Sequence, residues 1–313
     1  MSRKQSTGGR AVAHIIRISE YRSRYQTDLQ RYPSQFTRLK KERWHYLHEA
    51  WKREFAENIR LEYEDLSETS PLSGVWSKAM SQVRKWTSVQ PDSTDEKQRE
   101  HEAFLKIKQQ FKDEMFEMQL RWAGLKLDEF GDKVEGSEWT QDPWLKFLGL
   151  DLPDNCFLFY KPIMYVKKAE IELDILLICP TEVICISLLK GEPLSVFEAS
   201  SDRYWVEYVN KERRKRLSPL PALERMDRVI RQVLDQHEID MPIRTLVIAP
   251  DSIIDHRTVG MKFDCIDKRT FQSWKTKLAH STAPLKYQQV RAAEILLNYC
   301  EPKELHQVEV PEI

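Results

Sequence analysis

The sequence predicts an α/β chain, mixed α+β in its details: a mixed sheet flanked by helices and preceded by a long antiparallel helical hairpin. Three observations predict it. Ile171 to Glu192 reads IELDILLICPTEVICISLLKGE, two apolar, β-branched runs joined by Pro180-Thr181-Glu182, the pattern of a buried two-stranded ribbon. Strand-like, helix-like and strand-like segments then alternate from 183 to 250, the order of a sheet covered by helices. Upstream, Phe104, Phe111, Met118 and Leu125 recur at heptad spacing with Ile107, Met115 and Trp122 between them, a seam that packs one long helix on another.

In chain order, residues 1–10 are polar and read as a tail. Residues 11–130 form the helical hairpin region. Its first helix spans 34–66, with Ser34 as N-cap and Phe36, Leu39, Leu47, Trp51, Phe55 and Ile59 at helical intervals. Pro71, Gly74 and Pro91 mark a connection, with a short helix over 75–86, before the second long helix at 95–129. About four heptads suit an antiparallel pair better than a long dimeric coiled coil. Gly131, Gly136 and Pro143 then open an α/β domain over 131–300, with its core at 145–250 and a tail at 301–313. Within it the texture predicts a helix at 144–150, strands at 157–160, 163–166, 171–179, 183–189, 196–197, 204–209, 245–249 and 263–266, and helices at 223–236, 270–278 and 285–300.

Composition sets outer bounds. The chain has 313 residues, with 49 Lys+Arg balanced by 49 Asp+Glu, so attraction to nucleic acid or membrane has to be local. The N-terminus has no apolar stretch of signal-peptide length and no window is apolar enough for a membrane span, which predicts a cytoplasmic protein without membrane partners. Cys156, Cys179, Cys185, Cys265 and Cys300 contain no C-x-x-C and read as buried thiols in a reducing compartment.

Chemistry concentrates in the ribbon. Asp174 interrupts its first run, and a period of two places Glu172 on the same face; carboxylates at the end of a core strand require a cation, a donor or water. The segment Leu152 to Lys190, LPDNCFLFYKPIMYVKKAEIELDILLICPTEVICISLLK, with Trp205, the SPLPALERMDRVIRQVL segment from Ser218 and YPSQFTRLKKERW at Tyr32 to Trp44, resembles the nuclease-related domain (NERD) of the restriction-endonuclease-like superfamily. That resemblance implies Mg²⁺ held by an Asp on one strand and a Glu on the next, with a Lys beside the attacking water. Asp174 occupies the Asp position, but the Glu position falls on Ser187 and the Lys position on Leu189, with Lys190 one residue late. The residues that could still serve catalysis and hold Mg²⁺ are therefore Asp174, Glu172 and Lys190.

Lys211, Arg213, Arg214, Lys215 and Arg216 follow the aromatic run Tyr204, Trp205 and Tyr208, a cluster able to neutralise backbone phosphates or to form a solvated hairpin or loop. Arg38, Lys40, Lys41, Arg43 and Trp44 form a second patch. His45 with His48, and Asp251 with Asp255 and His256, read as surface and turn residues. Three function classes follow: a catalytically degenerate nuclease-related module binding nucleic acid or protein, without cofactor; a Mg²⁺-dependent nuclease using Asp174; and an interaction protein, pairing with a partner or itself through its long helices.

Overall fold

The computed structural model describes residues 12–68, 93–125, 137–167, 169–256, 263–280 and 283–302, and for 54–68, 93–97 and 137 the backbone alone. The predicted tail at 1–10, the short helix at 75–86, the break at Gly131 and Gly136 and most of the 301–313 tail lie outside the described residues. The chain divides into two compact units, one holding Arg38–Met115 and the other Arg10–Thr37 with Phe116–Ile313.

In the first unit, helix α1 (Arg31–Glu68) and helix α2 (Ser93–Trp122) contribute an antiparallel pair. Position rises along one helix as it falls along the other. Arg43 pairs with Glu114, Trp44 meets the Phe111 ring at 5.1 Å between centroids, and Trp51 meets Phe104 at 5.5 Å. The heptad seam read from the sequence includes this aromatic contact, in which Trp44 meets Phe111 edge-to-face.

The second unit is built on a six-stranded mixed sheet in the order β1 (His14–Ile18), β2 (Phe157–Tyr160), β5 (Ile175–Ile178), β6 (Val183–Leu188), β10 (Ile243–Ala249), β12 (Asp264–Asp267). The FLFY, ILLI and VICIS runs are buried at every position, as strands covered on both faces must be. Helix α5 (Leu220–Gln236) lies against β6 and β10, α7 (Tyr287–Asn298) against β5, and α4 (Pro143–Asp151) against β2; the remaining helices are the short α3 (Ser137–Thr140) and α6 (Phe271–Ala279). Strand β1 falls inside the region read as helical hairpin. Its HIIRI run is buried throughout, and Arg17 is tolerated there because its guanidinium donates to the carbonyls of Ser19, Glu20 and Cys300 and pairs with Glu301.

A second sheet, in the order β11 (Ile253–Asp255), β7 (Val196–Glu198), β8 (Tyr204–Val209), β9 (Glu212–Leu217), carries the basic cluster. Asn210 and Lys211 both take positive φ, 50° and 68°, and join β8 to β9 in the tight hairpin that such angles favour. Strands β3 (Ile163–Val166) and β4 (Ala169–Glu172) form a separate ribbon.

This ribbon corrects one expectation. The strand predicted over 171–179 is two strands in different sheets: Glu172 closes β4, exposed and opposite Ile163, whereas Asp174 precedes β5. The Leu173 N–H turns to the Pro162 carbonyl and the Lys161 N–H to the Asp174 carbonyl, so the backbone switches sheets between the two acids. Strand alternation does not extend across such a break.

Candidate functional site

A cleft of about 750 Å³ opens where β2, β6 and β10 end, where β5 begins and where α4 starts. Carboxyl ends of strands in an open α/β sheet are where such sheets place ligands, because loops and helix N-termini converge there. Asp174, Lys161, Lys190, Asp142, Glu138 and Asp251 supply its charged walls.

Asp174 stands one step beyond the Ile175–Ile186 pair and therefore faces Ser187 across the antiparallel ladder. The buried Ser187 hydroxyl donates to Asp174 Oδ2 at 2.5 Å. A neutral donor thus satisfies the acid at the place where the nuclease pattern has a second acid. Leu189, at the expected lysine position, is buried, and Lys190 turns outward onto the cleft rim.

Asp142 is the best-held acid of the cleft. As N-cap of α4 it accepts from the Trp144 and Leu145 N–H groups through Oδ1, and its Oδ2 accepts the Tyr160 hydroxyl at 2.7 Å. Burial raises the Tyr160 phenol well above its usual range, and the charges of Asp142 and Asp174 add to that. Tyr160 therefore keeps its proton and stays a hydrogen-bond donor to Asp142. The Asp-Pro pair at 142–143 was a readable helix-start signal, since Asp caps helices and Pro suits the first turn. Nothing in the local pattern marked Lys161, which reaches the cleft only because β2 pairs with β5.

The sequence-predicted residues are only partly brought together. Asp174 and Lys190 line the same cleft, while Glu172 lies outside its lining, on β4. A hard cation such as Mg²⁺ needs clustered anionic oxygens. Among the described residues no group of three or more His, Cys, Asp or Glu is placed to hold a metal ion, and Asp174 faces a hydroxyl rather than a carboxylate. The donor set does not fit the implied ion.

The basic cluster splits by register. Tyr204, Val206 and Tyr208 lie opposite Leu217, Lys215 and Arg213, and these share one exposed face. Arg203 and Arg213 sit over the Tyr204 and Tyr208 rings, at 5.7 and 5.6 Å from the centroids. On the other face, Arg216 pairs at 2.6 Å with the fully buried Glu207, and Arg214 pairs with Glu212 and approaches Glu192 to 4.0 Å. Burial alone would raise Glu207, but the Glu192 N–H, Arg216 and Ser195 outweigh it and hold the carboxyl below its usual range. The long-helix patch is also partly consumed, with Arg38 paired to Glu42 and Arg43 to Glu114. No helix of the described residues is long and apolar enough to cross a membrane.

No curated protein and no solved structure matches the chain. The family model of the nuclease-related domain (NERD), whose known context is the restriction-endonuclease-like superfamily, matches residues 134–250. The matched stretch supplies most of the cleft and the whole basic hairpin.

Proposed function

We propose that this nuclease-related domain binds nucleic acid without cutting it. One observation carries the reading: the outward face of β8 and β9 sets Tyr204, Tyr208, Arg213 and Lys215 side by side, 46% and 38% exposed in the case of the two tyrosines. Arg213 is held on an aromatic ring and Lys215 has no ion-pair partner among the described residues, so both cations remain available to phosphate oxygens. Glu198 shares this face and is engaged by the Tyr208 hydroxyl at 2.7 Å. Arg214 and Arg216, by contrast, serve the fold through their acids.

The cleft chemistry supports the absence of cutting. Phosphodiester hydrolysis in the implied nuclease relies on a clustered acid set, and Asp174 has Ser187 in place of its partner. The Mg²⁺-dependent nuclease reading retains Asp174 at the cleft wall as its support, and Glu172 and Lys190 as the remaining residues it could call on.

The test is a salt titration of affinity for labelled DNA and RNA oligonucleotides. Binding should weaken steeply with salt, and the Arg213→Ala/Lys215→Ala variant should lower the slope of log K against log salt by about 1.4–1.8, the share of two phosphate contacts. An unchanged slope, or no binding at low salt, contradicts the reading.

A further inference from the structure

Lys161 combines features that the basic hairpin does not explain. It follows the last residue of β2, and its N–H donates to the Asp174 carbonyl at 2.6 Å, which places it next to the cleft's central acid. Its backbone has φ +48°, a left-handed conformation that costs a lysine energy and that the flanking strands impose. Its ammonium lies over the Trp139 ring at 5.2 Å and the Tyr160 ring at 5.6 Å, and those rings meet edge-to-face at 5.9 Å. An ammonium held on π faces carries no carboxylate and keeps N–H donors for an incoming acceptor.

The acids nearest to it are already engaged by neutral donors. Asp142 takes the Tyr160 hydroxyl and the α4 N–H groups, and Asp174 takes the Ser187 hydroxyl. No ion pair joins Lys161 or Lys190 to a carboxylate among the described residues, including the cleft's other acids, Glu138 and Asp251. The cleft therefore presents an aromatic-braced cation at its wall.

We infer that Lys161 is a phosphate-binding residue of the cleft, gripping one backbone phosphate of a polynucleotide beside Asp174. This rests on the nucleic-acid reading above and extends the bound path from the β8–β9 face into the cleft. The hairpin borders the cleft: Arg214, on its opposite face, lies 4.0 Å from Glu192, the neighbour of the cleft residue Gly191.

The experiment compares full-length wild type, Lys161→Gly, Lys161→Arg and Arg213→Ala/Lys215→Ala in salt titrations with labelled single-stranded and duplex oligonucleotides. Lys161→Gly removes the amine and suits the left-handed backbone, so the variant should fold, as circular dichroism and thermal melting verify. Its slope of log K against log salt should fall by about 0.7–0.9, one phosphate contact, while Lys161→Arg keeps the wild-type slope. If the hairpin variant loses slope and Lys161→Gly does not, this inference fails and the hairpin reading stands. If wild type binds neither oligonucleotide at low salt, both fail.

Discussion

Ser187 Oγ donates to Asp174 Oδ2 at 2.5 Å, one ladder step beyond the Ile175–Ile186 pair. A glutamate at 187 would put a second carboxylate directly opposite Asp174, and like charges so placed repel unless a cation lies between them. Ser187→Glu is therefore expected to melt at a lower temperature than wild type in chelator and to regain stability on addition of Mn²⁺ or Mg²⁺. Thermal melting with and without the metal checks this, and wild type should show no such metal dependence.

Glu207 and Arg216 supply the acid sensitivity of the second sheet. Glu207 is fully buried and its folded carboxyl titrates below the unfolded value of about 4.3. Its contribution to stability is thus present above that pH and is lost as pH falls through the folded value. Asp267 acts in the same direction: burial opposes it, but the Arg269 side chain and the Ile254 and Arg269 N–H groups hold it down. Melting temperature should fall on acidification below about pH 4.3, with a shallower fall for Glu207→Gln, whose neutral amide does not titrate. Arg216→Ala, which leaves a buried carboxylate without its cation, should cost about 1–3 kcal/mol at neutral pH.

The cap at Asp142 connects the cleft to the fold. Asp142→Ala removes the acceptor of two α4 N–H groups and of the Tyr160 hydroxyl, and should destabilise by about 0.5–2 kcal/mol for the cap alone. Asp142→Asn retains a side-chain oxygen for the helix and should recover most of that loss in chemical denaturation.

Gly191 is fixed by crowding. A Cβ at this position would stand 2.5 Å from Phe197 Cε2 and 2.7 Å from Ser252 Oγ, and Phe197 is fully buried and cannot retreat. Gly191→Ala should cost about 1–3 kcal/mol through overpacking, read as a lower denaturation midpoint.

Much of this architecture was legible in the sequence because apolar runs and heptad spacing report burial directly. The runs at 157–160, 175–178 and 183–188 appear as core strands, and the ring contacts of Trp44 and Trp51 realise the helical seam. Strand β9, ERRKRL, escaped because it has hardly any apolar residue; pairing with β8 and a positive-φ turn make it a strand. Strand β1 escaped because HIIRI is short and contains a charge whose partners lie at Cys300 and Glu301. Of the residues singled out in the sequence, Asp174 and Lys190 line the cleft, but periodicity could not detect the sheet switch that carries Glu172 away from Asp174. Lys161 was unreadable for a related reason: its place beside Asp174 is a property of the β2–β5 register, not of its neighbours in sequence.

The most direct measurement is incubation of labelled DNA and RNA with the full-length protein in Mg²⁺ and in Mn²⁺, read on a denaturing gel alongside a native mobility shift. Binding without cutting predicts strands that are retarded on the native gel and intact on the denaturing one. Cleavage that appears with metal and disappears in Asp174→Ala would contradict it.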